Sequence, residues 1–238
     1  MNYKNLKVKI FADGADINGM LDMYRTDYIS GFTTNPTLMK KAGIKDYETF
    51  ARTALEKITD LPVSFEVFSD DFESMEKEAR KISSWAKNVF VKIPVCNTKG
   101  EHSYDLIKKL SADGIKVNVT AVLTIEQVQQ TVKSFTKGVG AYVSVFAGRI
   151  ADTGIDPEPI MKETVILCKS VKSVESLWAS CRQLFDIFKA QRCGVDIITV
   201  TNDILKKLPM IGKDLTQLSI ETVQMFYNDS QSSGFQIK

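Results

Sequence analysis

The sequence predicts a closed barrel of eight parallel β-strands, each followed by helical structure, with one further helix near the C-terminus. Its 238 residues match the length of a barrel of this kind, which routinely forms one domain. Short apolar segments rich in β-branched residues alternate with amphipathic segments of ten or more residues along the whole chain. Because repeated strand–helix units require parallel strands joined by right-handed crossovers, eight units predict closure, with an open doubly wound sheet as the alternative.

The elements follow one another without a linker. Each predicted strand is an apolar or alternating run bounded by turn residues. The strands are predicted at 7–13, 28–34, 62–68, 88–94, 116–122, 141–147, 176–181 and 196–201. The helices are predicted at 46–58, 71–86, 103–112, 124–136, 157–170, 182–192 and 202–207, with a terminal helix at about 215–228. No Pro/Gly/Ser-rich stretch or charge block divides the chain, so we expect residues 1–238 to form a single domain.

The charge balance excludes several classes of partner. Lys and Arg number 31 against 29 Asp and Glu, a net charge of +2, which offers no general attraction to nucleic acid or to an anionic membrane. No apolar run approaches the roughly 18 residues that cross a bilayer, and the first residues contain no apolar stretch of signal-peptide length. We therefore expect a cytoplasmic protein that binds any anion through local groups.

The residue inventory also limits the chemistry. His102 is the only histidine, and a loop position on the surface is expected for it, so a zinc site built on several histidines is excluded. The four cysteines have no CxxC spacing and are interpreted as reduced, buried, structural thiols. No dinucleotide or P-loop fingerprint occurs. We expect no metal and no nucleotide cofactor, and chemistry based on carboxylates, lysines, hydroxyls and arginines.

Polar residues occupy one parity of the predicted strands, where an inert barrel would be apolar. Side chains alternate across a strand, and strands buried on both faces are apolar on both. The unusual parity comprises Phe11 and Asp13, Thr33 and Asn35, Ser64 and Glu66, Phe90 and Lys92, Asn118 and Thr120, Ser144 and Phe146, Trp178 and Ser180, and Thr199 and Thr201. The ionisable or amide member generally comes toward the C-terminal end of its strand, where barrel enzymes build their active sites.

Lys92 is the most informative single residue, because it lies within Val89–Pro94 with apolar neighbours on both sides. A buried lysine that is charged and unpaired is unfavourable, so it must be neutralised, paired or used in chemistry. A neutral amine is the nucleophile in Schiff-base chemistry with carbonyl substrates. We take Lys92 as the candidate nucleophile; a structural ion pair or a snorkelling edge lysine is the alternative.

Other charged groups fit the same chemistry. Asp13 and Glu66 are carboxylates on the same predicted face, available as proton carriers or ion-pair partners. Arg149 follows the sixth predicted strand, and Ser180 and Arg182 close the seventh. Two arginines and a hydroxyl at one barrel mouth suit a phosphate, because the guanidinium presents a planar fork to oxyanions. A sugar phosphate is the predicted ligand class.

At this point the chain resembles the transaldolase family, including its small bacterial members and the related fructose 6-phosphate aldolases. The resemblance runs nearly end to end, and its motifs occur in order on successive strands. They are Phe11-Ala12-Asp13, Gly31-Phe32-Thr33-Thr34-Asn35-Pro36-Thr37-Leu38, Glu66, Val91-Lys92-Ile93-Pro94-Val95, Gly114-Ile115-Lys116-Val117-Asn118-Val119-Thr120, Ser144-Val145-Phe146-Ala147-Gly148-Arg149-Ile150 and Ala179-Ser180-Cys181-Arg182. A weaker similarity covers Phe226-Tyr227-Asn228-Asp229.

The resemblance implies a role for each candidate residue. Lys92 would form the Schiff base with the carbonyl carbon of a ketose phosphate. Asp13 would move the proton of the hydroxyl next to the bond that breaks. Glu66 would act with Thr120 through a water when the Schiff base forms and when it is hydrolysed. Asn35 and Asn118 would bind donor hydroxyls or the enamine. The remaining implied ligands are Thr33, Ser144 and Phe146 for the donor, and Ser180, Arg149 and Arg182 for the phosphate.

Two positions favour one branch of the family. The aldolase branch resembles a version with Gln at the third strand and Tyr after the sixth, where this chain has Glu66 and Phe146. The resemblance therefore implies a cofactor-independent transaldolase, which moves a dihydroxyacetone unit from a ketose phosphate such as fructose 6-phosphate or sedoheptulose 7-phosphate to an aldose phosphate, as in the pentose phosphate pathway. A free aldolase is the alternative within the enzymes. A sugar-phosphate-binding protein without turnover is the alternative outside them.

The chain also departs from the family pattern. Asp13 is followed by Gly14-Ala15 instead of a hydroxyl residue, Cys96 stands where Thr is frequent, and Gln183 stands where Asn is common. These departures remove no catalytic group but leave open an unusual sugar-phosphate acceptor. Small members of the family tend to form rings, so we expect a homo-oligomer. The terminal helix carries an apolar stripe that fits a neighbouring copy and its own barrel equally well; the stripe is Leu215, Leu218, Ile220, Val223 and Phe226.

Overall fold

The computed structural model describes residues 6–234. Within this range, eight parallel strands pair in chain order and close into a barrel, because the first strand pairs with both the second and the eighth. The strands are β1 (Lys9–Asp13), β2 (Ile29–Thr33), β3 (Val63–Glu66), β4 (Val89–Pro94), β5 (Val117–Val122), β6 (Ala141–Val145), β7 (Val174–Trp178) and β8 (Ile197–Thr201). The predicted closed (β/α)8 barrel is confirmed, and the open sheet is wrong.

Helices surround the strands, and the additional C-terminal helix is confirmed. They are α1 (Ile17–Tyr24), α2 (Pro36–Lys41), α3 (Tyr47–Lys57), α4 (Phe72–Ser83), α5 (Tyr104–Ala112), α6 (Ile125–Lys133), α7 (Ala147–Asp152), α8 (Glu158–Lys169), α9 (Phe185–Cys193), α10 (Asn202–Leu205) and α11 (Leu215–Ser233), with a 3₁₀ turn at Leu208–Met210. Several are capped by a side chain that accepts a backbone N–H, as Asp46 does for α3 and Asp71 for α4.

Some predicted boundaries are wrong. The sixth strand stops at Val145, since α7 begins two residues later. The helix predicted at 182–192 begins at Phe185, and α11 extends to Ser233. Helices α1, α2 and α7 lie where none was predicted, because six to eight residues give too few turns for a clear helical period.

The predicted inward parity of the seventh strand is also wrong. Leu177 and Ala179 lie inside the barrel, whereas Trp178 packs between the barrel and the helices. Leu177, Trp178 and Ala179 are consecutive apolar residues, so alternation carried no signal there. Ser180 nevertheless reaches the barrel mouth, because the strand has ended and its backbone takes a left-handed φ of 63°.

Two separate apolar clusters support the site. The larger lies between strands and helices, and the smaller fills the barrel interior. The interior cluster consists of Phe11, Phe90, Tyr142, Leu177, Ala179 and Ile197, with Phe146 packed against it. The ring of Phe90 stacks on that of Tyr142 at 4.1 Å between centroids, and Phe11 meets Tyr142 edge-on. This cluster closes the barrel interior, so the polar residues gather at the mouth.

Gly31 makes room for the interior cluster. A Cβ on Gly31 would lie 2.6 Å from the Phe11 ring, closer than van der Waals contact permits. We expect Gly31→Ala to overpack the barrel and to lower the free energy of unfolding by about 1–3 kcal/mol, which for a chain of this size is roughly 2–4 °C in Tm per kcal/mol. Thermal melting measures it. Gly14→Ala is the control, because its Cβ would meet nothing closer than 3.9 Å, and an equal loss there would contradict the interpretation.

The cysteines and the terminal helix agree only in part with the sequence prediction. The four cysteines are free thiols, and three of them are buried as predicted. Cys96 is only half-buried and lies in the loop after β4, where it forms a β-bridge with exposed His102. Helix α11 has no buried residue, and Leu215, Ile220, Val223 and Phe226 of its apolar stripe are exposed whereas Leu218 is half-buried, so most of the stripe does not pack on the barrel. In the described part of the chain, no helix combines the length and apolar character needed to span a membrane.

Candidate active site

A cleft of about 370 Å³ opens at the C-terminal ends of the barrel strands. All twelve side chains proposed from the sequence line it, from Asp13 on β1 to Arg182 after β7. Thr199 and Thr201 of β8 complete the wall, as their parity predicted, although no role was assigned to them. Residues 36–38, at the start of α2, also line the cleft and were quoted only as part of a motif.

Lys92 lies at the centre of the polar layer. Its neighbours across the sheet are Glu66 on β3 and Asn118 on β5. The ammonium Nζ lies 2.9 Å from Glu66 Oε2 and donates to the backbone carbonyl of Thr34 at 2.8 Å. The Lys92 side chain is 9% exposed and that of Glu66 18%. The amine is therefore paired and oriented, and both members of the pair line the cleft.

The backbone of Glu66 is held from outside the barrel by Tyr47, at the start of α3. The phenol hydroxyl donates to the carbonyl of Glu66 at 2.9 Å and accepts its N–H at 2.7 Å. Burial raises the pKa of this phenol above its ordinary value, so the hydroxyl stays protonated. The sequence analysis missed Tyr47, because an aromatic residue at a helix start is normally a core residue. Only the three-dimensional pairing identifies its role.

Removing the Tyr47 hydroxyl should disturb Glu66 without altering any group that faces the cleft. We expect Tyr47→Phe to leave the N–H and C=O of Glu66 without their partner, at a cost of about 1–3 kcal/mol in stability, and to lower kcat several-fold with little change in KM. Thermal melting and steady-state kinetics measure the two effects. Tyr104→Phe is the control, because that half-buried ring stacks on His102 far along the chain from Glu66. A Tyr47→Phe protein with unchanged stability and kcat would contradict this role.

Asp13 forms a second carboxylate centre on β1, beside Thr33 and Thr201 in the neighbouring strands. Its Oδ1 accepts from the Thr33 hydroxyl at 2.8 Å, and its Oδ2 accepts from the Asn35 amide at 3.3 Å. Burial raises the pKa of Asp13, against the opposing effects of Lys92 and of these two hydrogen bonds. A carboxylate whose pKa is raised toward the working pH is suited to accept and return a proton.

Local helix chemistry orients Asn35. It is the N-cap of α2, with its amide oxygen accepting the N–H of Leu38 at 2.9 Å and Pro36 beginning the helix. The amide nitrogen is consequently turned toward Asp13. The Asn-Pro pair that starts α2 therefore also places a hydrogen-bond donor beside the Asp13 carboxylate.

A hydrogen-bonded row of polar groups from β3, β5 and β6 lies beside Lys92. The hydroxyl of Ser144 donates to Asn118 Oδ1 at 2.6 Å, and Asn118 Nδ2 donates to Ser64 Oγ at 3.0 Å. Thr120 Oγ1 is buried and has no hydrogen-bond partner among the described residues. Ala121 has a left-handed φ of 60° where the β5–β6 register shifts. A buried hydroxyl without a protein partner is a natural site for a bound water.

Two arginines lie on neighbouring segments of the barrel mouth. Arg149, in α7, places its guanidinium 5.6 Å from the centre of the Phe146 ring. Arg182 forms a two-point ion pair with Asp152 at the end of α7. The sequence analysis gave Asp152 no role, and nothing in its spacing marks it as the partner of Arg182. The geometry gives a cationic rim, with one of its arginines already oriented by a carboxylate.

These groups together can perform Schiff-base chemistry. The cleft contains one buried primary amine, one carboxylate in contact with that amine, and a second carboxylate held by separate donors. A nucleophilic amine and two independent proton carriers are the requirement of carbinolamine formation, dehydration and carbon–carbon cleavage. Within residues 6–234, no three His, Cys, Asp or Glu side chains converge as a metal site would require.

Comparison with known proteins gives a consistent result. The sequence profile described as transaldolase/fructose-6-phosphate aldolase matches residues 10–237. A probable transaldolase of Thermoanaerobacter sp. (strain X514) is 32% identical, covering 97% of this chain and 100% of that protein. A probable transaldolase of Caldicellulosiruptor saccharolyticus is 35% identical, covering 90% and 94%. Another, of Bdellovibrio bacteriovorus, is 33% identical, covering 94% and 99%.

A solved structure matches the same architecture. The dihydrodipicolinate synthase of Rhodopseudomonas palustris superposes with a TM-score of 0.55 at 16% identity, covering 93% of this chain and 80% of that one. At this identity the likeness concerns the fold alone. It supports the closed barrel described above.

Proposed function

Because this chain belongs to the transaldolase/fructose-6-phosphate aldolase family, whose curated relatives are named probable transaldolases, we propose that it is a Schiff-base transaldolase acting on sugar phosphates. It transfers a dihydroxyacetone unit from a ketose phosphate to an aldose phosphate. The observation that carries the proposal is the buried Lys92 amine in contact with Glu66, facing a cleft that also contains Asp13.

The first half of the reaction uses Lys92 and Glu66. Glu66, 2.9 Å from the amine, takes a proton from the ammonium. The freed nitrogen attacks the ketose carbonyl, and one of the two protons on that nitrogen passes to the carbonyl oxygen, which gives a neutral carbinolamine. Glu66 returns its proton through a water held by Thr120 Oγ1, and the hydroxyl leaves as water. The product is an iminium ion that joins the sugar to Lys92, and its positive nitrogen can accept electrons from the bond that breaks.

The second half uses Asp13. Its carboxylate takes the proton of the hydroxyl on the carbon beyond the scissile bond. The carbon–carbon bond breaks, its electron pair passes into the iminium to form an enamine, and an aldose phosphate leaves. The enamine then attacks the aldehyde carbon of the acceptor, Asp13 returns its proton to the new hydroxyl, and hydrolysis restores the free amine.

The remaining side chains bind the sugar. Asn35, Asn118, Thr33 and Ser144 contact the donor hydroxyls and the enamine, while Phe146 forms an apolar wall. Arg149, Arg182 and Ser180 hold the phosphate at the rim of the cleft. The guanidinium of Arg149 has no carboxylate partner among the described residues and is the arginine more available to an incoming phosphate.

The proposal is tested by trapping the intermediate. The protein is incubated with fructose 6-phosphate and borohydride, and the modified peptide is identified by mass spectrometry. We expect one reduced adduct, located on Lys92. Lys116 is the control lysine in the same digest, because it is also partly buried in the barrel but lies over the Phe90 ring at the far end from the cleft. No adduct with this donor or with other ketose phosphates would favour a binding protein without turnover.

Acceptor dependence separates transfer from free aldol cleavage. A transaldolase should consume fructose 6-phosphate only when an aldose phosphate is added, because the enamine waits for an acceptor aldehyde. Release of dihydroxyacetone without an acceptor, at a rate equal to that of the complete reaction, would instead favour the free aldolase. A panel of aldose phosphates identifies the acceptor.

Helix α11 is the proposed contact between copies of the chain. None of its 19 residues is buried, and its exposed large apolar residues are Leu215, Ile220, Val223, Met225, Phe226 and Tyr227. An apolar surface of this extent is unusual on a monomer, and a second copy is the occupant implied by the family's ring-shaped members. Light scattering after gel filtration should give a homo-oligomer, and Val223→Asp with Phe226→Asp should reduce its mass. A wild-type monomer would contradict the proposal.

A further inference from the structure

Asp186 is a buried carboxylate that the proposed reaction does not use. It is the second residue of α9 and is 4% exposed. Among the described residues, Lys92 and Asp186 are the least exposed of all Lys, Arg, Asp and Glu residues. Charged side chains are rarely buried this deeply unless they are paired or hydrogen-bonded. The role of Lys92 is accounted for by the cleft, and that of Asp186 requires an explanation of its own.

The contacts of Asp186 are directed at the turn that follows β7. Its Oδ2 accepts the backbone N–H of Arg182 at 2.9 Å and that of Gln183 at 3.3 Å. Its Oδ1 accepts from the side-chain amide of Gln183 at 3.3 Å and lies 3.5 Å from Lys189 Nζ. Two consecutive N–H groups bound to one carboxylate fix the conformation of this turn. Asp186 thereby sets where Arg182 leaves the backbone.

The segment just before this turn is conformationally unusual. Ser180 has a φ of 63°, which a non-glycine residue rarely adopts unless its surroundings hold it there. Its carbonyl oxygen lies so close to Gly148 that a Cβ on Gly148 would be 1.6 Å away. The backbones that carry Ser180 and Arg149 are therefore in direct contact. Any relaxation of the turn would move both segments of the cationic rim.

We propose that Asp186 is a positioning residue for the phosphate subsite, an inference that rests on the proposed binding of phosphate by Arg149, Ser180 and Arg182. It acts through the backbone of Arg182 and Gln183 and does not touch the substrate. Binding of a compact oxyanion depends on donors held in place before the ligand arrives. Loss of Asp186 should weaken binding of the phosphate and leave the chemistry at Lys92 unchanged.

The test compares two sugars that differ only in the phosphate. Steady-state kinetics are measured for fructose 6-phosphate and for fructose with the wild type, Asp186→Asn and Asp186→Ala. We expect KM for fructose 6-phosphate to rise about tenfold in Asp186→Ala, equivalent to about 1.4 kcal/mol of binding, and less in Asp186→Asn. The kcat should stay within about twofold, and kcat/KM for fructose should not change. Competitive inhibition by inorganic phosphate should weaken in parallel.

Asp196 provides a matched control. Its carboxylate accepts the N–H of Ser176 at 2.9 Å and the Ser176 hydroxyl at 2.7 Å, just before β8 and away from the cleft. Asp196→Asn and Asp196→Ala should lower Tm without altering the ratio of kcat/KM between the two sugars. Asp186 variants that likewise only lower Tm would overturn the inference, and Asp186→Asn decides the matter should Asp186→Ala not fold.

Arginine variants distinguish failure of this inference from failure of the proposed function. When Arg149→Ala and Arg182→Ala raise KM for fructose 6-phosphate but the Asp186 variants do not, only the role of Asp186 is wrong. When the arginine variants also leave the preference for the phosphorylated sugar unchanged, the phosphate subsite is wrong and the inference falls with it.

Discussion

Replacing Lys92 by methionine should abolish turnover. The substitution keeps a long unbranched side chain but removes the amine on which the Schiff base forms. We expect kcat to fall by roughly 10⁴-fold or more, the scale observed when a covalent nucleophile is deleted, and borohydride trapping to give no adduct. The measurement is acceptor-dependent consumption of fructose 6-phosphate together with intact mass after reduction.

Structural damage is an alternative explanation of such a loss, and Lys92→Arg addresses it. Arginine preserves a cation that can pair with Glu66, but it stays protonated and cannot form a Schiff base. We expect Lys92→Arg to melt near the wild-type temperature and to be as inactive as Lys92→Met. Lys116→Met should retain full activity. Turnover above about one hundredth of wild type in either Lys92 variant would place the nucleophile elsewhere.

The same variants separate an enzyme from a binding protein. Should the protein only bind sugar phosphates, Lys92→Met would bind fructose 6-phosphate as tightly as the wild type, and the wild type would give no reduced adduct. Titration calorimetry with the two proteins provides this comparison. The wild-type adduct is the decisive observation, because the contact between Lys92 and Glu66 fits a structural ion pair equally well in the absence of chemistry.

The groups that the sequence predicted share one property: their signal is local. Lys92 is conspicuous because its own strand is otherwise apolar. Asp13 and Glu66 are conspicuous because each lies at the end of a strand and on the parity that carries the polar residues. Alternation along a strand and the common direction of parallel strands are enough to bring such residues to one mouth. The structure gathers them in one cleft.

What the sequence could not predict depends on pairing between distant segments. Tyr47 reaches Glu66 from 19 positions away, and Arg182 pairs with Asp152 from 30 positions away. Neither partner has a pattern of its own. The inward face of the seventh strand was predicted wrongly for another reason. Leu177, Trp178 and Ala179 are all apolar, so alternation could not distinguish the inner face of the strand from the outer one. The left-handed backbone at Ser180 nevertheless brings this residue to the cleft despite the wrong parity.

Replacing Asp13 by asparagine should reduce activity while making the fold more stable at neutral pH. Asparagine keeps an oxygen that can accept from Thr33 but cannot take the proton of the donor hydroxyl. Loss of a general base lowers rates by roughly 10²–10⁴-fold. We therefore expect kcat to fall on that scale, whereas the borohydride adduct on Lys92 should persist, since the Schiff base forms before Asp13 acts. An adduct lost together with turnover would contradict this order of steps.

The stability effect has a definite sign. Burial raises the pKa of Asp13 in the folded protein above that of the unfolded chain, so folding favours the protonated carboxyl. Its contribution is fully present below the unfolded pKa and is lost as the pH rises through the folded pKa. The asparagine side chain does not titrate, so Asp13→Asn should gain stability over the wild type with increasing pH, with little difference near pH 3 and the largest near pH 8.

Melting temperatures of the two proteins across this range measure the effect. Each kcal/mol corresponds to roughly 2–4 °C for a chain of this size. Asp70→Asn is the matched control with the opposite sign, because hydrogen bonds from Thr98 lower the pKa of that exposed carboxylate, and removing its charge should lose stability as the pH rises. A Tm difference between Asp13→Asn and the wild type that stays constant with pH would mean that folding does not shift the pKa of Asp13. A difference that falls as the pH rises would mean that Asp13 is held as a stabilised anion. In that case its ionisation would be favoured by Lys92, Thr33 and Asn35 more than it is opposed by burial, and the carboxylate would be a poorer base than the mechanism requires.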